Sequence, residues 1–248
     1  MWERRLSADS TFCRALVGCG YLSEEQMQRA ALRYRLGRSR DGGVIFWQID
    51  EADRVRDGKI MYYRSDCHRD KQHHPAWVSD RLKRYYGYPG EIAISRCLFG
   101  LHLLAENSAT DYTDYHREDD SHRNLCQSRK QCKSVKSVAK SVAVVEAEKT
   151  AVICSELYPQ CLWLAAGGLS ALSAERLLPL RDRHVILFPD TDPDGTAFAR
   201  WQKVASEASR HFLSPVYVSP LLERQATPGQ KAAKIDIADF IFEATDSQ

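Results

Sequence analysis

The sequence predicts an α/β protein in which a parallel sheet flanked by helices, in residues 141–248, follows a smaller α+β subdomain in residues 1–105. Short, nearly unbroken apolar runs at 142–145, 161–165, 184–188 and 216–219 alternate with segments of helical length, as buried parallel strands do. The front part instead combines a capped helix with a hairpin. Polar and charged residues dominate 106–140, which predicts a polar linker or long loop.

In the front part, residues 23–36 predict a helix, because Ser23 suits the N-cap and two glutamates follow in the first turn. Residues 44–49 and 59–64 predict two strands of a hairpin with an aromatic-rich face, joined by a loop that ends in Asp57-Gly58. The apolar segment 98–105 predicts a further helix.

In the back part, helices are expected at 148–157, 173–180 and 196–212, with Ser173 as an N-cap. Strands that alternate with helices of this length imply right-handed crossovers between parallel strands. The expected order is therefore β-α-β-α-β-α-β.

Composition excludes several classes of protein. No run approaches the roughly 20 apolar residues of a membrane span, so no membrane partner is expected. The eight cysteines form no C-x-x-C pair, and the Cys and His spacings fit no common structural zinc site. Without a secretory leader, we expect reduced thiols and a cytoplasmic location. The sequence contains no G-x-x-x-x-G-K-[ST] run, the phosphate-binding loop of many ATPases, so a fused helicase or ATPase is not expected.

Acidic residues follow two of the predicted strands directly. Glu146 ends the first strand, and Asp190, Asp192 and Asp194 follow the third. Ligands of open α/β sheets bind outside the carboxyl ends of the strands, so these four acids are expected to converge and to hold Mg²⁺ or Mn²⁺. The turn at 167–168 would give backbone access to the same crevice. Alternatively, an Asp-x-Asp-x-Asp-Gly run is a common turn or helix cap.

Together these motifs resemble the Toprim domain, the catalytic module of bacterial-type primases, topoisomerases and some nucleases. Glu146 after the first strand, Gly167 and Gly168 after the second, and Asp190 and Asp192 after the third match its order, so the resemblance implies a Toprim-like parallel sheet over residues 141–220. It also implies that Asp190 and Asp192 bind Mg²⁺, and that Glu146 binds a second ion or acts as general acid or base. Residues 235–240 resemble the helix that follows primase Toprim modules.

Residues 1–104 more weakly resemble the basic subdomain that precedes Toprim in bacterial primases. Phosphate contacts are predicted for one lysine and the glycine turn of the back part and for five arginines of the front part, namely Lys149, Gly167, Gly168, Arg29, Arg33, Arg35, Arg38 and Arg40. The partner would be single-stranded DNA or RNA, with nearby aromatic residues stacking on the bases. A solvated arginine face and a solvated surface lysine are the alternatives.

The function that follows is a primase-like nucleotidyl transfer on single-stranded nucleic acid, with Glu146, Asp190 and Asp192 as catalytic residues. A mobile-element replication system is the expected setting. A replicative helicase or a zinc-binding protein would act in trans, because no zinc domain is visible. Two alternatives remain: a Toprim nuclease, and a non-catalytic nucleic-acid-binding accessory protein.

Overall fold

The computed structural model describes residues 8–87, 95–105 and 140–245, and its two sheets confirm the mixed α/β class. An antiparallel sheet has the strand order β1-β2-β3-β4, and a parallel sheet has the order β6-β5-β7-β8. The antiparallel strands are Gly37–Arg38 (β1), Val44–Ile49 (β2), Val55–Met61 (β3) and Ala76–Trp77 (β4). The parallel strands are Val142–Val145 (β5), Leu162–Ala165 (β6), Val185–Phe188 (β7) and Tyr217–Val218 (β8).

Helices precede and follow the antiparallel sheet and cover the parallel one. Those of the front part are Thr11–Gly18 (α1), Glu24–Arg33 (α2) and Val78–Tyr86 (α3). Those of the back part are Glu148–Leu157 (α4), Ala174–Leu177 (α5), Thr196–Ser209 (α6), Leu221–Gln225 (α7), Pro228–Ala233 (α8) and Ile237–Thr245 (α9), with 3₁₀ turns at Leu169–Ala171 and Leu178–Leu180. No helix in these described stretches is long and apolar enough to cross a bilayer.

The parallel sheet has its switch point at β5. This strand pairs with β6 on one side and with β7 on the other, and every residue of β5 and β6 is buried. The connection from β5 leads to β6 on one side, and the connection from β6 crosses back to β7 on the other side, which opens a crevice at the carboxyl end of β5. Glu146 stands at that end.

The predicted hairpin exists, but its turn lies earlier than expected. Strand β3 begins at Val55, so Asp57 and Gly58 lie inside the strand. The chain turns at 50–54, where the Asp50 carboxylate accepts hydrogen bonds from the backbone N–H groups of Ala52 and Arg54. The Asp57 carboxylate instead accepts from Ser79 N and Oγ. A turn-like dipeptide is therefore held in a strand by a contact with the start of α3.

Residues 98–105 are not the helix that the sequence predicts, because only 103–105 are helical at that end of the described segment. Phe99 forms an antiparallel bridge with Ala165 of β6, through hydrogen bonds in both directions. Hydrogen bonding to the parallel sheet outweighs the local helical preference here.

The front and back parts share one hydrophobic core. Tyr34 stacks on Phe99 with ring centroids 4.9 Å apart, and its hydroxyl donates to the backbone oxygen of Trp163 at 2.8 Å. The end of α2 is thereby packed against the parallel sheet. The predicted linker lies almost wholly outside the described residues, and the predicted domain boundaries stay a prediction.

Candidate functional site

A cleft of about 680 Å³ lies between the carboxyl edge of the parallel sheet and strand β3 of the antiparallel sheet. The 66–69 hairpin and the C-terminal helix α9 complete its walls. Its acidic lining includes Glu146, Glu148, Asp190, Asp236 and Asp239, and its basic lining includes Lys59, Arg69 and Lys149. The cleft is therefore rich in charge of both signs.

The first and third strands bring Glu146 and Asp190 together, because β5 and β7 are neighbours in the sheet. The Asp190 backbone N–H donates to Glu146 Oε1 at 3.3 Å. Burial raises the pKa of Glu146, and the hydrogen bond from Asp190 only partly offsets it. Burial also raises the pKa of Asp190 well above its usual range, and the Glu146 charge adds to this. Two acids thus meet where ionisation is unfavourable.

Asp192 occupies a second, smaller pocket of about 330 Å³, which Glu146, Asp190 and Asp194 also line. Its Oδ1 accepts from the N–H of Thr196 and of Asp194 (both 2.9 Å), and its Oδ2 accepts from the N–H of Ala197 at 2.6 Å. Burial raises the pKa of Asp192, but these backbone hydrogen bonds outweigh it and lower the pKa below its usual value.

The helix-cap interpretation of the acidic run is therefore correct for Asp192, whose carboxylate holds the N-terminus of α6. Asp194 is exposed beside it. Whether either acid also binds a metal stays a prediction.

Glu146 and Asp190 suit Mg²⁺ as two carboxylate ligands, but the described residues do not supply a complete set of protein ligands. Within the described residues, no group of three or more His, Cys, Asp or Glu is arranged to hold a metal ion. Mg²⁺ keeps several waters and is often held by one or two carboxylates plus substrate phosphates. Glu146 and Asp190 supply such a pair, and no ion pair is recorded for either of them in the described structure.

The glycine turn lies beside the acid pair, as the sequence predicts. Gly167 N–H donates to the backbone oxygen of Glu146 at 2.9 Å. Gly167 and Gly168 have φ values of 90° and 142°, which side-chain-bearing residues rarely adopt. Both line the cleft, so their backbone can approach a ligand closely.

Lys59 enters the cleft from β3 of the antiparallel sheet. Its Nζ lies 3.0 Å from both carboxylate oxygens of Glu148 and donates to the backbone oxygen of Gly167, also at 3.0 Å. The Lys59 side chain is 12% exposed and that of Glu148 only 3%. This buried ion pair joins the antiparallel sheet to the start of α4 and to the glycine turn.

The ammonium group of Lys149 forms ion pairs with two aspartates in the cleft. Its Nζ lies 3.3 Å from Asp239 Oδ1 and 3.8 Å from Asp236 Oδ2. Burial lowers the pKa of Lys149, but the two aspartates outweigh it and raise the pKa above its usual value. Thr150 Oγ1 also donates to Asp236, at 2.5 Å. Lys149 is therefore a half-buried partner of α9 and not a solvated surface lysine, and its predicted phosphate contact stays a prediction.

The predicted arginine surface is engaged with acids of this chain. Arg29 and Arg33 both bind Glu156 of α4, at 2.9 and 2.7 Å. Arg35 pairs with Asp53, Arg38 pairs with Asp9, and Arg40 is exposed. None of the five lines the cleft. Phosphate binding by these arginines stays a prediction. Their contacts in the described structure include ion pairs that link α2 and the segment after it to other parts of the chain.

Sequence reasoning missed the cleft residues that the antiparallel sheet and its 66–69 hairpin supply, Lys59 and Arg69. Lys59 lies on a predicted strand, where a lysine gives no signal of its own. It also missed Asp236 as a partner of Lys149, although residues 235–240 resemble the helix that follows primase Toprim modules. The contacts span 86 to 108 positions, so no local pattern encodes them.

Comparison with known proteins gives a similar solved structure and a family. The crystallised primase fragment of the bacteriophage T7 primase-helicase protein is similar at 15% sequence identity and a TM-score of 0.47, over 89% of this chain and 67% of that chain. No curated protein matches the sequence. A family profile matches residues 10–112 and 129–191, and the chain therefore belongs to the family described as "Domain of unknown function (DUF6371)".

Proposed function

We propose that this protein is a Mg²⁺- or Mn²⁺-dependent, primase-like Toprim enzyme that transfers nucleotides on single-stranded nucleic acid. The observation that carries the proposal is the acid pair. Glu146 and Asp190 meet at the switch point of the parallel sheet, with raised pKa values and no recorded ion pair in the described structure. A divalent cation between them would remove the unfavourable interaction of a buried and a half-buried carboxylate.

Each surrounding group has a defined part in this proposal. When bound, the metal would stabilise charge on the attacking and leaving oxygens of a phosphoryl group. Glu146 and Asp190 would hold it, and Asp192 keeps the N-terminus of α6 in place beside them. The backbone of the glycine turn approaches the substrate, and the exposed Arg69 contacts a phosphate from the opposite wall.

One observation favours a second candidate, a non-catalytic nucleic-acid-binding protein. Both oxygens of Asp192 are already engaged by α6, and no three-ligand group exists among the described residues. In that case the acid pair would be a structural feature that binds no metal at physiological concentrations.

Primer synthesis on a single-stranded DNA template, with nucleoside triphosphates and Mg²⁺ or Mn²⁺, tests the enzyme. We expect synthesis by the wild type and at least a hundredfold loss in Asp190→Asn, since electrostatic stabilisation of charge is usually the largest catalytic contribution. The matched control is Asp182→Asn, which neutralises an exposed aspartate outside the cleft. Equal activity of wild type and Asp190→Asn contradicts the assignment.

Two further measurements separate the alternatives. Degradation of labelled DNA without added nucleotides, lost in Asp190→Asn, would indicate a nuclease instead of a primase. Calorimetric titration with Mn²⁺ tests the non-catalytic candidate. If the wild type binds no Mn²⁺ but binds single-stranded DNA, the accessory-protein function is correct.

A further inference from the structure

A guanidinium group is stacked on an indole ring near the cleft. The Arg96 guanidinium carbon lies 3.6 Å from the centroid of the Trp77 ring. Arg96 Nε donates to Oδ2 of the buried Asp57 at 3.1 Å, which fixes the guanidinium over the ring. The Arg96 side chain nevertheless remains 37% exposed. The stack thus combines a planar cation with an aromatic surface, and part of it faces solvent.

Strand pairing places this stack beside the cleft. Trp77 of β4 is directly opposite Lys59 of β3 in the antiparallel register. Side chains of directly opposed residues project from the same face of a sheet, with Cβ atoms about 5 Å apart. Because Lys59 Nζ lies in the cleft, the stack lies next to the wall that Lys59 forms.

Helix α3 continues from Trp77 and is basic on its exposed side. Lys83 and Arg84 are exposed and make no ion pair within the described part of the chain. Tyr85 is 75% exposed, an unusual position for an aromatic ring. At 1.5 Å per residue, Tyr85 lies about 12 Å from Trp77 along the helix axis. Aromatic residues therefore stand near both ends of a helix that carries exposed cations.

We infer that the Trp77–Arg96 stack and helix α3 form a binding platform for single-stranded nucleic acid along the edge strand β4, with the stack at the end nearer to the cleft. The inference rests on the proposed function, because it names the surface that would hold the polymer outside the acid pair. Unpaired bases stack on aromatic rings and on arginine planes, and exposed cations contact the phosphates between them. The platform is distinct from the arginines of α2 and the following loop, and two of its cations, Lys83 and Arg84, make no ion pair within the described part of the chain.

Fluorescence anisotropy with a labelled single-stranded oligonucleotide, in EDTA, tests the platform separately from catalysis. We expect Tyr85→Ser to weaken binding by about 5- to 140-fold, the usual effect of losing one stacked base. Tyr217→Ser is its control, since Tyr217 is also exposed but lies on β8. Lys83→Glu/Arg84→Glu should weaken binding and reduce the salt slope by about 1.4 for two lost phosphate contacts. Arg200→Glu/Lys203→Glu on α6 is the matched control.

Two substitutions at the stack keep the test independent of folding. Arg96→Lys retains the charge beside Asp57 but lacks the planar group, so we expect weaker oligonucleotide binding with unchanged thermal unfolding. Bound bases should quench tryptophan emission in the wild type, and Trp77→Phe should abolish most of that quenching.

The outcomes distinguish this inference from the proposed function. If the platform variants bind like wild type while Asp190→Asn abolishes synthesis, the platform is wrong and the enzyme stands. If the charge reversals weaken binding but Tyr85→Ser, Arg96→Lys and Trp77→Phe leave affinity and quenching unchanged, the surface binds polyanions in general and the base-stacking inference is overturned.

Discussion

Replacing Lys59 by methionine should destabilise the protein strongly. The substitution keeps the length of the side chain but leaves the carboxylate of Glu148, 3% exposed, without its cation and the backbone oxygen of Gly167 without its donor. Removing one partner of a buried ion pair typically costs about 3–5 kcal/mol. For a chain of this size each kcal/mol shifts Tm by about 2–4 °C, so Tm should fall by about 6–20 °C.

Urea unfolding of a double-mutant cycle measures the interaction. Glu148→Gln removes the buried charge, so Lys59→Met/Glu148→Gln should be more stable than Lys59→Met alone. Lys231→Met is the control, because Lys231 and Glu223 form an ion pair at 2.7 Å that is more exposed than the Lys59 pair. Its loss should cost about 1 kcal/mol or less.

Two results would refute this reasoning. One is a loss below 1 kcal/mol for Lys59→Met, which would mean that water reaches Glu148. The other is a double variant whose loss equals the sum of the single losses, which would mean that Lys59 and Glu148 do not interact.

Three further predictions concern the acids and the core. Asp190→Asn should raise Tm in EDTA at pH 7, because burial and the Glu146 charge raise the pKa of Asp190 and make its ionised form unfavourable in the folded protein. A carboxyl group with a raised pKa destabilises the folded state less as the pH falls. Thermal scans should therefore show the Tm difference between Asp190→Asn and the wild type shrinking at lower pH. Asp192→Ala should cost about 1–2 kcal/mol in urea unfolding through loss of the α6 cap, and Asp192→Asn should cost less. Backbone hydrogen bonds outweigh burial and lower the pKa of Asp192, so the stability that the Asp192 carboxylate contributes should be lost as the pH falls through this lowered pKa. Tyr34→Phe should cost about 1–3 kcal/mol by equilibrium unfolding, since the Trp163 carbonyl loses a buried donor while the stack on Phe99 remains.

The parallel sheet was predictable because its strands are nearly all apolar, and β5 and β6 are buried on both faces. The predicted strand limits agree with the structure to within one residue at each end. Placement of Glu146 and Asp190 at one edge followed from parallel pairing. Their direct contact required β5 and β7 to be neighbours, which the order of elements along the chain does not determine.

The front part was harder to predict because distant partners decide its local structure. Asp57-Gly58 has turn composition, yet Ser79 and Arg96 hold Asp57 within a strand. Arg29 and Arg33 have the composition of a nucleic-acid surface, but both meet Glu156. Such contacts over 22 to 127 positions leave no periodic pattern in the sequence.

The C-terminal helix explains why Lys149 forms no ion pair with Glu146 or Asp190. Lys149 is close enough to the pair to lower the pKa of Asp190, but Asp236 and Asp239 at the start of α9 hold its ammonium group. Lys59 is held in the same way by Glu148. Both lysines of the cleft are thus neutralised by acids other than Glu146 and Asp190. The fold therefore retains an unfavourable pair of carboxylates, and binding of a divalent ion there would stabilise the folded state.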